Sequence, residues 1–380
     1  MQNFVYRNPT EILFGRGMIA EIATRVPSSA PALFLYGGGS IKRNGVYDQV
    51  KAALKKHRVV EFAGIEANPL YETCLKAVDV VKREHINFIL AVGGGSVLDA
   101  GKFIAAATCF TGADPWDILR TGGAAIKAVL PVGTVLTLPA TGSEANGNSV
   151  ISRQATKEKL AFTSNHSFPV FSVLDPETTF TLPQKQVRNG VVDAIAHVME
   201  QYMTYPADAP LQDRLAESVL QTLVEVGPMT LAEPRNYEAR ASFMWSATLA
   251  LNTLISCGVP QDWATHMIGH ELTAFYGLDH AETLAIVMLG VWQHKLAQKN
   301  AKLEQYGRRV WNVTSAEAAI AKTETFFNSL GMPTRLSAYK ISAEEAAAKV
   351  SARFAERKVT FGEHGDIGPD AASAILRLRA

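Results

Sequence analysis

The sequence has little cysteine, no excess of charge of either sign and no long uncharged apolar segment. Cys74, Cys109 and Cys257 are far apart and lack the CxxC spacing of a zinc or redox site. We therefore expect buried or free thiols in a reducing compartment, with cytoplasmic residence. The first 30 residues carry scattered charges, without the basic-then-apolar order of a signal peptide. No later segment is long enough without a charge to cross a bilayer.

The charge balance argues against two classes of partner. The chain has 37 basic and 36 acidic residues, and both signs are interspersed along it. Such a surface has no extended field to attract nucleic acid or a membrane, so we expect neither as a partner. With 380 residues, of which 47% are hydrophobic, the chain is expected to form two globular domains.

The first half alternates apolar runs with helical patterns. Strands are predicted at residues 32–36, 59–62, 88–92, 132–138 and 171–174, and helices follow at 71–84 and 97–107. The stretch between the last two strands is polar and is expected to be irregular. Strand, glycine turn, helix, strand is typical of a parallel doubly wound sheet. We therefore predict a Rossmann-like α/β domain over residues 1–182.

The second half has a different pattern. Beyond Pro183 the strand signals fade, and apolar stripes such as Leu215, Val219 and Leu223 recur at helical spacing. Glycine–proline pairs at 227–228, 258–260 and 331–333 predict helix ends. Residues 183–380 are expected to form an all-α domain.

Two Gly-Gly-Gly-Ser turns follow two of the predicted strands, at residues 37–40 and 93–96. Such turns let backbone N–H groups approach a phosphate, and the following helix adds partial positive charge. The second turn is the stronger candidate because Asp99 and Lys102 follow it. Neither has strict G-x-G-x-x-G spacing, and either alone is equally compatible with a plain tight turn. The presence of two such turns at the same edge of one sheet favours a nucleotide-binding site. Thr137 and Thr141 complete this rim or form a polar loop.

Histidines cluster in the predicted helical domain. His266 and His270 are four apart and share a helix face, and a turn at residues 277–279 can return His280 to the same place. Upstream, Asp193 and His197 are also four apart. Three imidazoles and one carboxylate from these positions suit zinc or ferrous iron and leave a coordination position for a substrate oxygen.

A helical Asp–His pair alone is also compatible with an ordinary core or surface pair. The neighbouring nucleotide domain favours the metal interpretation, because a cation polarises a carbonyl while a nicotinamide supplies hydride.

At these residues the chain resembles the iron-containing, or group III, alcohol dehydrogenases, which are related in fold to dehydroquinate synthase and glycerol dehydrogenase. The resemblance covers nearly the whole length and rests on residues 93–99 with Lys102, residues 137–144, 193–197 and 266–280. Residues 36–40, 138–144 and 259–266 resemble the NADPH-dependent, broad-specificity aldehyde reductases of the butanol dehydrogenase subgroup.

The resemblance implies a Rossmann-like domain, a helical domain and an active site in the cleft between them. Asp193, His197, His266 and His280 match the family's metal ligands, and His270 matches a histidine beside the nicotinamide. The cofactor-binding residues expected on this basis are Gly37, Gly38, Gly39, Ser40, Asn68, Gly94, Gly95, Ser96, Asp99, Thr137, Thr141, Asn146 and Lys159.

Three positions depart from the family pattern. NAD-preferring relatives carry an acidic residue that holds the ribose hydroxyls, and Gly38 matches that position here. A 2'-phosphate is then not repelled, which favours NADP(H). Leu138 replaces a threonine that contacts the cofactor, and residues 288–289 are Met-Leu where the family has Leu-Pro.

These observations predict a metal-dependent oxidoreductase that transfers hydride between NADP(H) and small aldehydes or primary alcohols. His270, or a water near it, is the expected proton relay. The metal is expected to be zinc or iron, and a homodimer is implied by the resemblance alone. A synthase on the same fold would need basic residues to hold phosphate, and residues 262–280 have no Lys or Arg. A hydrolase that uses zinc-activated water would be compatible with the same histidines, with the glycine turns purely structural. A pure binding protein would leave the convergence of these ligands unexplained.

Overall fold

The computed structural model describes all 380 residues, which divide into two compact units. The sheet unit comprises Arg7–Pro183 and Glu233–Asn252. The helical unit comprises Met1–Tyr6, Gln184–Ala232 and Thr253–Ala380.

The predicted division into two domains places a single boundary after residue 182. Two segments of the chain belong to the other unit than this boundary predicts. Residues 1–6 belong to the helical unit, and residues 233–252 belong to the sheet unit. In the second segment, Thr248 donates a hydrogen bond to the buried Glu144 carboxylate, and the Asn146 amide donates to the Leu251 carbonyl. A helical pattern in sequence shows that a helix forms, but not which sheet or helix it packs against.

All strands of the structure lie in the sheet unit: β1 (Glu11–Phe14), β2 (Ala32–Gly37), β3 (Val59–Ile65), β4 (Phe88–Gly94), β5 (Val132–Leu138), β6 (Asn148–Arg153), β7 (Glu158–Thr163) and β8 (Phe171–Leu174). Six of them form one parallel sheet in the order β1-β8-β5-β4-β2-β3. The five predicted strands are present, and the parallel sheet is confirmed.

Three strands were not predicted. β6 and β7 form an antiparallel hairpin in the stretch expected to be irregular. Only alternate residues of β6 are buried, such as Ser149 and Ile151, so the hairpin lacks the continuous apolar run of a strand buried on both faces. β1 has four residues and pairs on one side only, with β8.

The helices of the sheet unit are α1 (Ile22–Arg25), α2 (Ser40–Arg43), α3 (Val46–Ala53), α4 (Tyr71–Arg83), α5 (Gly95–Cys109), α6 (Asp117–Arg120) and α9 (Tyr237–Ala250). Successive residues of β2 point to opposite faces of the sheet, each of which is covered. Leu33 and Leu35 pack in the apolar cluster that contains α4 and α5, and Phe34 and Tyr36 pack in the cluster that contains α1 and α3. This burial on both faces explains why the sequence of β2 is a continuous apolar run.

The helices of the helical unit are α7 (Gln184–Tyr202), α8 (Pro210–Ala232), α10 (Ala264–Tyr276), α11 (His280–His294), α12 (Leu296–Tyr306), α13 (Ala316–Ser329), α14 (Ala343–Arg357) and α15 (Pro369–Arg377). The unit contains no strand, as predicted. No helix anywhere in the chain combines the length and apolarity needed to span a bilayer.

One predicted helix end is wrong. α8 continues through Pro228 to Ala232. A Cβ on Gly227 would lie 3.0 Å from Cγ1 of Val191 on α7, so the missing side chain lets the two helices approach closely at this point. We attribute the continuation to this packing, which outweighs the local cost of the proline. The breaks expected at residues 258–260 and 331–333 do lie outside helices, although the helix before the first of them, α9, already ends at Ala250.

Candidate functional site

The predicted nucleotide rim lies along one edge of the parallel sheet. β2, β4 and β5 are neighbours in the sheet and run in the same direction, so their carboxyl ends lie side by side. The first glycine turn begins with Gly37, the last residue of β2, and the second runs from Gly94, the last residue of β4, into the start of α5. Thr137 lies at the end of β5, and Thr141 lies in the loop just beyond it. This is the edge at which ligands bind in open parallel sheets, and α5 begins there with a glycine at its N-terminus.

Two of the glycines in the rim differ sharply in the space around them. A Cβ on Gly95 would lie 2.5 Å from Oγ1 of Thr141, because the backbone of Gly95 packs directly against the Thr141 side chain. A Cβ on Gly38 would meet no atom within 4 Å. Gly95 is therefore required by packing, whereas a side chain at position 38 would meet open space.

A chain of hydrogen bonds joins three of the expected cofactor residues. The Asn68 backbone N–H donates to Oγ of Ser96 over 3.3 Å, and Nζ of Lys159 donates to Oδ1 of Asn68 over 2.9 Å. Asn68 has a positive φ of 58°, which suits asparagine better than most residues. Lys159, on the hairpin that the sequence did not predict, thus lies beside the second glycine turn.

Asp99 and Asn146 lie near the rim but are engaged by the protein itself. The Asp99 carboxylate accepts from Oγ of Ser143 and from the backbone N–H of Val150. The Asn146 amide donates to two carbonyls, and its oxygen accepts from Nζ of Lys102 and from one backbone N–H. Both side chains would therefore contribute to cofactor binding by shaping the loops around the cofactor. The Asn146 amide has no hydrogen-bonding group left to donate to it.

Lys102 is fully buried one helical turn beyond Asp99. Its Nζ donates to Oδ1 of Asn146 and to the Asn148 carbonyl. Burial lowers the pKa of Lys102 to about 8, an effect that the charges of Asp99 and Glu144 oppose. The lysine thus ties α5 to the segment that leads into β6.

The helical unit brings the four predicted metal ligands together. One donor atom from each of Asp193, His197, His266 and His280 lies within 4.8 Å of the others. Asp193 and His197 come from α7, His266 from the first turn of α10 and His280 from the first residue of α11. Their assignment as ligands stays a prediction, and the structure supplies the proximity that it requires.

The donor chemistry fits a divalent cation. Bonds of 2.0–2.2 Å in a tetrahedral site place ligand atoms about 3.4 Å apart, so small side-chain adjustments would close the cluster around an ion. One carboxylate and three neutral imidazoles suit iron or zinc better than magnesium or calcium, which prefer oxygen. Three of the four side chains are buried, and His280 is partly exposed.

His270 lies beside the cluster but outside it. Its ring centroid is 5.3 Å from that of His280 and 6.5 Å from that of His266. It is buried one turn beyond His266 on α10. Its donor atoms do not converge with those of the four predicted ligands, and its role beside the nicotinamide stays a prediction.

Glu200 is a residue of this site that the sequence patterns did not predict. Its carboxylate accepts a hydrogen bond from Nδ1 of His266 over 2.9 Å, and also from the His266 and Trp263 backbone N–H groups. The signal was present, because Asp193, His197 and Glu200 recur at i, i+4 and i+7 along α7 and therefore share a face.

Comparisons with known proteins cover nearly the whole chain. A family model described as iron-containing alcohol dehydrogenase matches residues 9–176, and its C-terminal counterpart matches residues 188–377. The NADPH-dependent aldehyde reductase YqhD of Escherichia coli is 54% identical over 99% of both chains. The NADP-dependent alcohol dehydrogenase 3 of Entamoeba histolytica is 44% identical over 91% of both chains.

Solved structures give the same result. A crystal structure of E. coli YqhD superposes with a TM-score of 0.98, at 53% identity, over 100% of this chain and 99% of that one. The NADH-dependent butanol dehydrogenase A of Thermotoga maritima gives 0.94 at 36% identity, over 100% of this chain and 99% of that one.

Fold, matched family models and full-length relatives define a metal-dependent oxidoreductase of alcohols and aldehydes. The chain belongs to the iron-containing alcohol dehydrogenase family. Membership of this family decides against the hydrolase, the synthase and the pure binding protein.

Proposed function

We propose that this protein is an NADP(H)-dependent aldehyde reductase and alcohol dehydrogenase that acts on small aldehydes and primary alcohols with a divalent metal, iron or zinc. The observation that carries the proposal is the convergence of Asp193, His197, His266 and His280 within 4.8 Å. The E. coli relative is named as an NADPH-dependent aldehyde reductase, which supports the same reaction here.

The preference for NADP(H) is supported by Gly38 more than by the names of relatives. Relatives at 36–42% identity are named as NADH-dependent butanol dehydrogenases, whereas the two at higher identity are named for NADPH or NADP. Gly38 presents no carboxylate where the resemblance expects the ribose, and a Cβ at this position would meet no atom within 4 Å. Electrostatic repulsion of the extra phosphate is therefore absent.

We assign a role to each group of side chains. When bound, the cation supplies Lewis-acid polarisation of a carbonyl and the nicotinamide supplies hydride. Asp193 and the three imidazoles hold the cation, and the backbone N–H groups of the glycine turns bind the cofactor's phosphates. His270 delivers a proton to the oxygen of the product alcohol, directly or through water.

The test combines metal analysis with turnover. We expect purified protein to hold about one divalent metal per chain and to consume NADPH with short aldehydes. Asp193→Ala should lose both metal and reductase activity, because the only carboxylate of the cluster is removed. Retention of both by this variant would refute the proposed site.

We further propose that the chain forms a homodimer. β1 is an edge strand whose outer side is unpaired, and the exposed rings of Phe14 and Trp245 lie 5.9 Å apart in the same unit. An exposed edge with apolar side chains favours association. Sedimentation analysis should give twice the chain mass, and Phe14→Glu should shift it toward the monomer.

We also propose cytoplasmic residence. All three cysteines are free thiols in the structure, as expected for a reducing compartment. Fractionation of cells that express the full chain tests this assignment.

A further inference from the structure

The carboxylate of Glu200 is buried against the proposed metal cluster. Its Oε1 accepts two hydrogen bonds, from Nδ1 and from the backbone N–H of His266, each over 2.9 Å. Its Oε2 accepts from the Trp263 backbone N–H over 3.1 Å. A buried carboxylate is costly unless such donors compensate it, and here all three donors belong to the segment that carries one ligand.

These contacts determine which nitrogen of His266 faces the cluster. The backbone N–H groups of His266 and Trp263 both donate to Glu200, and an ionised carboxylate can only accept hydrogen bonds. Nδ1 of His266 must then donate, so its proton stays on that nitrogen and Nε2 is left as the coordinating atom. Glu200 thus selects both the tautomer and the rotation of the ring.

The same carboxylate also holds the start of α10. Trp263 precedes the helix with a φ of 64°, a left-handed conformation that is strained for a bulky residue. Glu200 binds its N–H, and Asp262 accepts from the Ala264 N–H over 2.9 Å. His266 follows within one turn, so the direction of its side chain depends on how this entry is held.

A buried cluster of charged side chains, Lys299, Asp262 and Glu363, holds the residues that precede α10. Nζ of Lys299 lies 2.9 Å from Oδ2 of Asp262 and 2.6 Å from Oε1 of Glu363, and it also donates to the Met203 carbonyl. Asp262 in turn donates its backbone N–H to the Glu200 carbonyl. The residues just before α10 are therefore held by the charged side chains of Glu200 and Lys299.

We propose that Glu200 is a positioning residue of the metal centre, which sets the tautomer and orientation of His266 and thereby the affinity for the ion. The inference rests on the proposed metal site, since it requires that His266 be a ligand. Outer partners of metal-bound histidines contribute about 10–100-fold to metal affinity in other proteins.

The experiment measures metal affinity without turnover. Metal-free parent, Glu200→Gln and Glu200→Ala are titrated with Zn²⁺ against a chelator of known affinity, and the Co²⁺ forms are compared by visible absorption. We expect Glu200→Gln to weaken Zn²⁺ binding by about 10-fold and Glu200→Ala by about 100-fold, with altered Co²⁺ bands.

A matched control separates positioning from general loss of stability. Glu217 is a similarly buried carboxylate of the helical unit, whose donors are Tyr202, Gln305 and Arg309. Glu217→Gln should leave the Zn²⁺ affinity within about twofold of the parent. Thermal unfolding of the metal-free variants reports any common loss of stability.

The outcomes distinguish the two proposals. If the parent binds one Zn²⁺ and Asp193→Ala does not, but Glu200→Gln binds within twofold of the parent, the role of Glu200 is overturned and the metal site stands. An equal loss in Glu200→Gln and Glu217→Gln also overturns it. If Asp193→Ala still binds Zn²⁺ as tightly as the parent, the proposed metal site itself is wrong.

Discussion

Nδ1 of His197 lies 3.3 Å from Oδ1 of Asp193, one helical turn earlier on α7. The same Asp193 oxygen lies 3.9 Å from Nε2 of His280, the first residue of α11. One carboxylate thus stands next to imidazoles from two helices, and both are predicted to share an ion with it.

Loss of one imidazole should disrupt ion binding. His197→Ala is expected to weaken metal affinity by more than the 10–100-fold that outer partners contribute, because a direct ligand is removed. Chelator competition measures the change. His166→Ala removes an exposed histidine of the sheet unit and serves as the control. Equal affinities in both variants would contradict the assignment.

His270 should separate chemistry from metal binding. We expect His270→Asn to keep a full complement of metal and to lower kcat by about 100-fold or more, as loss of a proton-transfer group does. The pH profile of kcat should also change. Elemental analysis alongside steady-state kinetics checks both parts. A variant that loses its metal would instead identify His270 as a ligand.

Cofactor choice should respond to Gly38. Gly38→Asp fits without collision, since no atom lies within 4 Å of the new Cβ, and its charge would repel a 2'-phosphate. We expect kcat/KM for NADPH to fall by about 10–100-fold, because ribose recognition by an acid excludes the phosphate. Gly38→Asn has nearly the same shape without the charge and should fall much less. Unchanged NADPH kinetics in the aspartate variant would remove the argument from charge.

The two glycines of the rim should differ in tolerance. Gly95→Ala would place its Cβ 2.5 Å from Oγ1 of Thr141, so the loop must shift. We expect a loss of about 1–3 kcal/mol in the free energy of unfolding and weaker NADPH binding. Gly38→Ala meets no neighbour and should bind NADPH normally. Denaturant unfolding and fluorescence titration provide the comparison.

The ion cluster around Lys299 should give the protein a defined pH dependence. Burial, and then the hydrogen bond to Asp262, raise the pKa of Glu363 from 4.5 to about 7. The folded state therefore binds more protons than the unfolded state between those values, and this contribution to stability is lost as the pH rises through about 7.

Glu363→Gln tests the sign of this dependence. Gln mimics the protonated carboxyl group, so the variant should lose less stability than the parent between pH 5 and 8, with a difference on the order of 3 kcal/mol at most. Thermal or denaturant unfolding across this range measures it. A parallel dependence in parent and variant would show that Glu363 does not titrate in this range.

Short runs rich in apolar residues were sufficient to locate five of the six strands of the parallel sheet. The signal was strongest for β2 and β4, which are buried on both faces, are almost entirely apolar and end in glycine turns, whereas β3 carries Glu61 and is only partly buried. β1, β6 and β7 escaped because a short edge strand and a hairpin with one solvated face leave a weaker pattern. The helix end predicted at Pro228 was wrong because local helix propensity does not include the packing of α7 against α8.

The sequence by itself determined the ligand types and their local spacing, since residues four apart on a helix share a face whatever surrounds the helix. The pairing of Asp193 with His197 was predicted in this way, whereas the importance of Gly38 was predicted only from the family resemblance. Only the tertiary structure decided that α7, α10 and α11 bring four donors within 4.8 Å, that Glu200 stands behind His266, and that α9 belongs to the sheet unit. Those contacts join residues far apart in the chain, and they depend on how helices pack, which short-range patterns do not encode.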